Sequence, residues 1–419
     1  MRYLFDFLFF IYSLLYFPYL LIKRKWHRGF LGRFGGFSEP LAVSLREKDN
    51  IWIHAVSVGE VLLIKRLLSS LKETFPFHRI VVSTVTKTGY DVAQKTFPSE
   101  LVIFAPLDFS FAATRYVKAI RPKIYIAVET EIWPNTFLAL KRNRVPIILV
   151  NGRLSDKAFH NYKSFKLLFK PVLACIRYSC MQSEDDSEKI KSLGVSSEKV
   201  LVTGNMKFDD LPSGKEDKVK NFAFGQNDFP FIAGSTHPGE EEIILDVYKT
   251  LSAEFPNLRL VIAPRHVERS GEVAALIMQK GFKVLRYSQM KGETLDQKTV
   301  GLIDTIGQLK SLYAQVKLVF VGKSLVGWGG QNIIEPAFFG KPILVGSHME
   351  NFRDVMEIFL KSNALIQVDD KNELEEKMKL LLSDESKMQA MGRSARKVVE
   401  ANTGATARTL TMITKVLAQ

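Results

Sequence analysis

The sequence contains almost no cysteine. Cys175 and Cys180 are the two cysteines among 419 residues, too few for the disulfide framework of a small secreted protein. Together with the seven histidines they form no cluster with the spacing of zinc ligands. The sequence therefore predicts a body without a structural zinc site, in a reducing compartment.

The common short motifs for nucleotide binding and hydrolysis are also missing. Residues 322–324, GKS, end like a Walker A loop, but Lys317 stands where that motif needs its first glycine. Residues 327–330, GWGG, do not form the G-x-G-x-x-G fingerprint. Ala55 replaces the glycine that a nucleophile elbow at Ser57 would need. No Asp-x-Asp occurs, so the commonest short signature of a metal-bound sugar nucleotide is absent too.

Acidic residues are outnumbered by basic ones. The chain has 44 Asp and Glu against 58 Lys and Arg, which gives a formal net charge of +14. This excess favours an anionic partner, which could be nucleic acid, a membrane surface or a phosphorylated substrate. The hydrophobic fraction of 46% and the charged fraction of 24% are globular averages, which exclude a disordered, collagen-like or coiled-coil chain. At roughly 150 residues per domain, the length indicates two or three domains.

One long apolar run stands near the start of the chain. Residues 7–22, FLFFIYSLLYFPYLLI, carry no charge, and the run is followed by the cations Lys23, Arg24, Lys25, Arg28 and Arg33. As a helix it would be about 24 Å long, slightly short of the ~30 Å hydrocarbon core of a bilayer, so we expect it to span or only to embed. By the positive-inside rule the cations keep the following domain on the cytoplasmic side, where they can also hold anionic headgroups.

We therefore predict that residues 1–36 form a membrane anchor with a basic juxtamembrane segment. Two other interpretations stay open. A cleaved signal peptide would carry its cations before the apolar run and a small-residue cleavage site after it, and this sequence has the cations after the run instead. A buried N-terminal helix is the remaining alternative.

From residue 51 onward, short β-rich apolar runs alternate with amphipathic helical stretches, which predicts βαβ units and parallel sheets. This alternation is interrupted at 209–229, where Pro, Gly and charged residues predominate, and it begins again after this segment. We predict an α/β protein with two Rossmann-like domains, 37–210 and 229–419, joined by a linker at 211–228, and the last helices could pack back on the first domain. The predicted strands are 51–56, 80–85, 101–105, 124–128, 147–150, 231–234, 260–263, 318–321 and 343–345.

Polar residues follow the predicted strands of the first half. Ser57 and Gly59 suit a turn where the backbone approaches a ligand, and Glu60 falls in the first turn of the next helix. Taken alone, Glu60 is either a general base or an acid favoured by the helix dipole. Glu129 and Glu131 lie where a buried strand opens into a Trp-Pro turn, so one carboxylate could tune the pKa of the other, or one could cap a helix while the other faces water.

Lys207 ends the first half, just before the predicted linker. It could neutralise a phosphate or be an ordinary surface lysine. In the second half, Ser235, Thr236 and His237 join a strand to a helix start that could bind an anion. Arg265 ends the next strand, as a functional cation or a surface arginine.

A glycine-rich loop at 327–336, GWGGQNIIEP, is the most specific of these motifs. Gly329 and Gly330 permit close backbone approach to a ligand, and the following helix start attracts phosphate. Glu335 is placed to accept hydrogen bonds from ribose hydroxyls.

Eight segments together resemble one family. They are HAVSVGE at 54–60, ETEIWPN at 129–135, NGRLS at 151–155, TGNMKFD at 203–209, STHPGEE at 235–241, PRH at 264–266, DTIGQL at 304–309 and GGQNIIEP at 329–336. In this order and spacing they are similar to the 3-deoxy-D-manno-octulosonic acid (Kdo) transferases of lipopolysaccharide biosynthesis, over nearly the whole chain.

The resemblance implies a GT-B fold, in which two Rossmann-like domains face a cleft. It implies inverting transfer of Kdo from CMP-Kdo to a lipid A precursor (lipid IVA) at the inner membrane, with no metal and no cofactor. Glu60 would be the general base, and Glu129 and Lys207 would support the transition state. The residues that match CMP-binding segments are Pro264, Arg265, Ile306, Gly307, Gln308, Asn332, Ile333, Ile334 and Glu335.

The sequence departs from the family pattern at two positions. Lys323 stands where the family commonly has a second glycine, and Ser347 replaces a common proline before His348. Two alternatives stay open. One is another membrane-associated GT-B enzyme with a UDP-sugar donor. The other is a basic membrane-bound binding protein, although no nucleic-acid module is visible and we expect no nucleic-acid partner.

Overall fold

The computed structural model describes residues 2–22, 29–211, 222–327 and 329–419, without the side chains of 15–22. The chain forms two compact units, Met1–Asp210 with Thr403–Gln419, and Leu211–Asn402. Each unit is a parallel sheet with helices on both faces, as predicted. Most of the predicted linker, residues 212–221, lies outside the described residues.

The first unit has a seven-stranded sheet in the order β3-β2-β1-β4-β5-β6-β7. Its strands are β1 (Asn50–His54), β2 (Arg79–Thr84), β3 (Leu101–Phe104), β4 (Pro122–Val128), β5 (Ile147–Gly152), β6 (Ile176–Met181) and β7 (Val200–Val202). Its helices are α1 (Arg2–Ile22), α2 (Glu39–Arg46), α3 (Val58–Leu63), α4 (Lys65–Thr74), α5 (Lys87–Thr96), α6 (Ser110–Ile120), α7 (Pro134–Arg142), α8 (Asp156–Ser164), α9 (Lys166–Leu173) and α10 (Glu184–Ser192).

The strands form because their side chains are buried on both faces. In β1, Ile51 and Ile53 pack into the core on one face, while Trp52 packs into the core on the other. The five strands predicted in this half are confirmed, with bounds that differ by one or two residues. Strands β6 and β7 were not predicted, because β6 mixes polar residues with apolar ones and β7 has three residues.

The second unit repeats this plan in the order β10-β11-β9-β8-β12-β13-β14. Its strands are β8 (Phe229–Thr236), β9 (Leu258–Pro264), β10 (Lys283–Arg286), β11 (Thr299–Leu302), β12 (Leu318–Val321), β13 (Ile343–Gly346) and β14 (Ile366–Val368). Its helices are α11 (Glu240–Glu254), α12 (Ser270–Gln279), α13 (Leu309–Leu312), α14 (Ile334–Phe338), α15 (Arg353–Lys361), α16 (Lys371–Ser383) and α17 (Glu385–Asn402). The four predicted strands are present, and β10, β11 and β14, each of three or four residues, were missed.

Short 3-10 turns join several of these elements. They are Leu31–Phe34, Ser197–Lys199 and Met206–Asp209 in the first unit, and Val267–Arg269, Tyr287–Gln289, Tyr313–Gln315 and Glu350–Phe352 in the second.

The N-terminal helix α1 packs on the first unit along one side. Phe5, Phe9 and Ser13 face the protein, with Phe9 in edge-to-face contact with Phe109. Of the helices in the described parts of the chain, none is long and apolar enough to cross a membrane. The basic residues at 23–28 lie outside the described residues.

Arg33 corrects one part of the predicted juxtamembrane segment. Its side chain is buried, and its Nε donates a hydrogen bond to the Ala105 carbonyl at 2.9 Å. A guanidinium held in this way is a structural group of the first unit. The sequence predicted that Arg33 would bind lipid headgroups together with the rest of the basic cluster. This prediction is wrong for Arg33, because its guanidinium is already bound within the protein.

The last helix, α18 (Ala405–Leu417), belongs to the first unit. Its apolar face packs on α4, with Ile413 in the same core as Leu67. Asp209 fixes the start of this helix, because its carboxylate accepts the Gly404 N–H at 2.6 Å and the Thr406 N–H at 2.5 Å. One buried carboxylate thus satisfies backbone donors from a segment almost two hundred residues away in sequence.

We expect Asp209→Asn to loosen this attachment. The amide cannot accept both N–H groups, so the free energy of unfolding should fall by about 1–3 kcal/mol in urea denaturation. Amides of α18 should also exchange faster with solvent. The control is Asp91→Asn, which removes an exposed carboxylate paired with Lys87 and should cost less than about 1 kcal/mol. Equal losses in the two variants would contradict the role of Asp209.

Candidate active site

The acidic residues singled out in the first half meet at one edge of its sheet. Strand β1 pairs with β2 on one side and with β4 on the other. Strands β2 and β3 are thus added on one side of β1 and the later strands on the other, so the strand order reverses between β1 and β4. In open α/β sheets, ligands bind at the carboxyl ends of the strands beside such a reversal. Glu60 follows β1, and Glu129 and Glu131 follow β4.

Glu60 is held in a fixed position at the start of α3. Its Oε2 accepts the Val56 N–H at 2.8 Å, and its Oε1 accepts a hydrogen bond from Ser57 Oγ at 2.8 Å. Ser57 is also the N-cap of α3 and accepts the Glu60 N–H, while the Glu60 carboxylate accepts the N–H of the residue before the N-cap, a variant of the capping box. A Cβ on Gly59 would meet nothing nearer than Ser57 Oγ, at 3.8 Å, so there is open space beside Gly59, the residue that precedes Glu60.

Burial raises the pKa of Glu60 to about 7, because the side chain is 7% exposed and the charged form loses solvation. The hydrogen bonds from Val56 and Ser57 oppose this rise, while the carboxylates of Glu131 and Glu129 add to it. A carboxylate with a pKa near neutrality is a better proton acceptor than one at its usual value of 4.5. The geometry therefore shows Glu60 in the first turn of α3, and the raised pKa is compatible with a general base, which stays a prediction.

The loop after β4 places two more carboxylates within electrostatic range of Glu60. Glu131 accepts the Trp133 indole N–H at 3.1 Å, and burial together with the charge of Glu129 raises its pKa. Glu129 adopts a left-handed conformation with φ of 54°, which is uncommon for a residue other than glycine. The charge of Glu129 thus raises the pKa of both Glu60 and Glu131, and perturbed carboxyl groups of this kind are typical of sites of proton transfer.

Two aspartates, the buried Asp108 and the partly exposed Asp6, hold this loop in place. Asp108 accepts the Asn135 N–H at 3.0 Å and the Thr136 N–H at 2.8 Å, so it caps α7. Burial raises the pKa of Asp108 to about 7. Asp6 of α1 accepts hydrogen bonds from the Ser110 N–H at 2.6 Å and from Asn135 Nδ2 at 3.1 Å. The N-terminal helix is thereby bonded directly to the segment that carries Glu129 and Glu131.

Lys207 lies in the turn after β7, and Asn151 draws that turn toward the middle of the sheet. Asn151 Oδ1 accepts the Met206 N–H at 2.8 Å, and Asn151 ends β5, the neighbour of β4. Gln182 Nε2 donates to the Asn151 carbonyl at 3.0 Å. The turn of Lys207 is thus fixed against the strand beside the one that precedes Glu129.

Sequence reasoning did not assign roles to Asp6, Asp108 or Asn151. Asn151 lies within a quoted motif, and its left-handed φ of 53° matches the tolerance of asparagine for that conformation, which is a usable signal. Asp108 follows a predicted strand directly, at 106–109, PLDF. A single acid at a strand end gives no indication of whether it caps a helix or faces water.

The second unit has its own reversal, between β8 and β12. After β8, Ser235 has φ of 57°, and Thr236 is buried with its Oγ1 donating to Glu241 Oε1 at 2.9 Å. His237 is partly exposed, and loss of solvation is the main cause that lowers its pKa. Glu240, fully buried, accepts the His237 N–H at 2.9 Å. Ser235 and His237 thus remain candidates to touch a ligand, whereas Thr236 is a structural residue.

Strands β9 and β11 supply the next predicted residues at the same edge. Arg265 is exposed, while Pro264 is buried in the last position of β9. Ile306 is 81% exposed, which is unusual for a large apolar side chain and leaves a face on which a flat ring could stack. Gly307 has φ of 100°, and Gln308 Oε1 accepts a hydrogen bond from Thr305 Oγ1 at 2.9 Å.

The glycine-rich loop after β12 is pinned by its neighbours. The Gly329 N–H donates to Glu350 Oε2 at 2.8 Å. Gly329 and Gly330 have φ of 112° and 70°, and a Cβ on either would clash with the segment at 349–351. Both glycines are therefore required by the fold.

The segment after these glycines is only partly accessible. Ile333 and Ile334 are buried core residues, so the match of this segment to CMP-binding segments concerns its backbone and not these two side chains. Glu335 Oε1 accepts Asn332 Nδ2 at 3.2 Å and lies 3.1 Å from Lys310 Nζ. Within the described residues, no group of three or more His, Cys, Asp or Glu side chains could hold a metal ion.

Comparison with known proteins decides the family. Residues 28–210 match the family model of 3-deoxy-D-manno-octulosonic-acid transferase (kdotransferase), and residues 215–398 match glycosyl transferases group 1. A 3-deoxy-D-manno-octulosonic acid transferase of Haemophilus influenzae is 33% identical over 373 residues, which cover 87% of this chain and 86% of that protein. The chain belongs to the Kdo transferase family. The resemblance read from the motifs is confirmed, and the protein is a glycosyltransferase of this family.

Other similarities are partial or concern the fold alone. A bifunctional glycosyltransferase/methyltransferase of Fusobacterium nucleatum is 36% identical to this chain over 342 residues. These residues cover 78% of this chain and 52% of the Fusobacterium protein. The chain therefore spans about half the length of that relative. The UDP-GlcNAc 2-epimerase of Neisseria meningitidis has a similar fold, with a TM-score of 0.58 and 12% identity over 88% of this chain and 99% of that one.

The raised pKa of Glu60 predicts a pH-dependent cost to stability. A carboxyl with a pKa of about 7 in the folded protein and 4.5 otherwise favours the folded state at low pH and loses that advantage as the pH rises from about 4.5 through 7. At ~1.4 kcal/mol per pKa unit, Glu60→Gln should gain roughly 2–3 kcal/mol relative to the parent at pH 8 compared with pH 5. Urea unfolding at both pH values measures this. The exposed change Glu198→Gln is the control, and a pH-independent difference for Glu60→Gln would contradict the shift.

Proposed function

We propose that this protein transfers Kdo from CMP-Kdo to a phosphorylated lipid A precursor, lipid IVA, with inversion at the anomeric carbon and without a metal ion. The observation that carries the proposal is Glu60, a mostly buried carboxylate with a pKa of about 7 beside the reversal of the first sheet. Membership of the Kdo transferase family supports the sugar. The two family models, one for each half, support donor and acceptor binding in different units.

In this mechanism Glu60 acts on the acceptor. Its carboxylate accepts the proton of the acceptor hydroxyl as that oxygen attacks the anomeric carbon of Kdo. The bond from this carbon to the phosphate oxygen breaks, and CMP leaves with the electron pair. A single displacement inverts the configuration, and the proton passes from Glu60 to solvent afterwards. The carboxylate oxygens keep lone pairs for the hydroxyl besides those used by Val56 and Ser57.

Glu129 and Lys207 have supporting roles in the proposal. Glu129 contributes to the raised pKa of Glu60, so it helps to keep that group a strong proton acceptor. Lys207 can compensate developing negative charge through its ammonium. Both depend on the loop contacts of Asn135 and Asn151 for their position.

The donor side is assigned to the second unit. Arg265 offers an exposed guanidinium for the phosphate, and Ile306 an apolar face for the pyrimidine. The glycines at 329 and 330 allow the left-handed turn that leads into the segment of Glu335. A cation placed at the leaving phosphate can stabilise its developing charge without a metal, which is why we propose a metal-independent reaction.

The acceptor is a membrane lipid, and α1 supports contact with a membrane. Phe7, Phe10, Ile11 and Leu14 are all exposed, and their spacing puts them on the side opposite Phe5, Phe9 and Ser13. Apolar surface on one side of a helix, with the other side packed on the protein, fits a helix embedded in the interface. We propose that the body lies on the cytoplasmic face of the inner membrane, held by this helix, and that anionic headgroups bind the basic cluster that follows.

The decisive test is a transfer assay. Purified protein at pH 8, where Glu60 is ionised, should label a tetraacylated lipid A precursor with Kdo from CMP-Kdo, with and without EDTA. Glu60→Gln should lower turnover by at least about a hundredfold, because general-base catalysis contributes roughly 10²–10⁴. Circular dichroism and CMP binding should stay near those of the parent. Near-normal turnover in Glu60→Gln would refute the base, and transfer from a UDP-sugar instead of CMP-Kdo would refute the donor.

Membrane attachment gives a separate prediction. Phe10→Gln with Leu14→Gln removes exposed apolar surface from α1 and should reduce flotation with phosphatidylethanolamine/phosphatidylglycerol vesicles by about tenfold or more, at ~0.8 kcal/mol per buried CH₂. Phe77→Gln is the matched control, because Phe77 is 86% exposed on a different part of the first unit. Equal flotation of the double variant and the parent would contradict the assignment of α1.

A further inference from the structure

Lys323 stands out at the reversal of the second sheet. It lies two residues beyond the end of β12, with φ of 57°. Left-handed backbone is natural for glycine and unfavourable for a lysine, which has no short polar side chain to compensate locally. Non-glycine residues held in this way cluster at functional sites, where the surrounding structure enforces the conformation.

The surrounding structure does enforce it. Glu240 accepts the backbone N–H groups of Lys323 at 2.7 Å, Ser324 at 2.9 Å and Leu325 at 2.9 Å. The Lys323 carbonyl accepts the Gly330 N–H at 2.9 Å. The preceding Gly322 has no room for a Cβ, which would lie 2.6 Å from Thr236 Cα. The loop after β12 is therefore locked to the loop after β8, and Lys323 cannot relax to another backbone conformation.

The side chain of Lys323 lies in a basic neighbourhood. Loss of solvation is the main cause that lowers the pKa of His237, the charges of Lys323 and His266 add to this effect and that of Glu240 opposes it. The rings of His237 and His266 are 5.7 Å apart. Arg265 precedes His266 and is exposed. Among the described residues, no carboxylate forms an ion pair with the Lys323 ammonium, and the nearby Glu240 is buried and bonded to backbone N–H groups.

We propose that Lys323 is a further donor-binding residue, whose ammonium binds an anionic group of the CMP-sugar. This rests on the proposed function, in which the second unit binds that donor. A CMP-linked ulosonic acid carries two anions, the phosphate and the sugar carboxylate, and an ammonium binds either as a point charge. Lys323 thus adds a charged contact to a loop that otherwise offers backbone groups, and it selects for donors with an anion at this place.

Two substitutions separate the charge from the backbone. Lys323→Gln removes the ammonium and keeps a side chain on the left-handed backbone. Lys323→Gly removes the ammonium and also relieves the unfavourable conformation. Lys317→Gln is the matched control, because Lys317 is exposed at the opposite, amino end of β12 and its loss changes the net charge equally.

Calorimetry measures the affinities of the parent and the variants for CMP and for cytidine. Steady-state kinetics measure the KM for CMP-Kdo. If the ammonium binds the phosphate, both Lys323 variants bind CMP about tenfold more weakly, a difference of ~1.4 kcal/mol, and bind cytidine as the parent does. If it binds the carboxylate, CMP affinity is unchanged and the KM for CMP-Kdo rises about tenfold. Either result supports the proposal when Lys317→Gln shows neither change and thermal unfolding shows the variants to be folded.

Unchanged CMP affinity together with unchanged KM in both Lys323 variants would overturn the proposal. A loss of affinity in Lys323→Gln that Lys323→Gly does not share would also overturn it, because the backbone and not the charge would then be responsible. If the assignment of CMP-Kdo as the donor is wrong, the result differs from that of a wrong assignment for Lys323, because the parent protein itself would then bind UDP more tightly than CMP. The same variants would then be compared with UDP and uridine, and equal affinities would overturn the role of Lys323.

Discussion

Every strand in both sheets runs parallel to its neighbours, and this constraint determines where chemistry can occur. Parallel strands joined by helices bring all their carboxyl ends to one edge, so residues far apart in sequence meet without any further device. Glu60 and Glu129 follow strands β1 and β4, which are hydrogen-bonded to each other. Ser235 and Lys323 follow β8 and β12, which pair in the same manner. Each unit therefore presents polar residues at the carboxyl ends of its central strands, whose side chains otherwise lie in the core.

Buried carboxylates fix the loops at these edges. Asp108, Asp209 and Glu240 each accept two or more backbone N–H groups. Such bonds satisfy donors that would otherwise be buried without partners, and they hold neighbouring side chains at set positions. Glu60 belongs to the same class, because it accepts the Val56 N–H, and it differs in following Gly59, which has open space beside it, and in lying near other acids. A carboxylate that supports a loop can thus also act on a substrate.

The central strands could be predicted because they are continuous apolar runs, buried on both faces. The edge strands β7, β10 and β14 could not, since each is short and partly exposed and its formation depends on the strand beside it. The meeting of Glu60, Glu129 and Glu131 depends on the pairing of β1 with β4, which was not predicted from the sequence. The burial of Ile333 and Ile334 could not be predicted either. The same residues follow a glycine-rich loop and begin a helix, and the sequence does not show which side chains then enter the core. The prediction that Arg33 binds lipid headgroups was wrong for a related reason. The sequence shows a cation near an apolar run, but it does not show that the fold brings the Ala105 carbonyl to this side chain.

The position of α18 has a consequence for synthesis. Residues 403–419 complete the core of the first unit, where Met412, Ile413 and Val416 pack with Leu67 and Leu71. The whole second unit lies between these two parts of one core in the chain. A ribosome must therefore produce that unit before the first can close, and the apolar surface of α4 stays uncovered during this time. Exposed apolar surface of this kind makes a nascent chain prone to aggregate, and here it is covered only when residues 403–419 have been made.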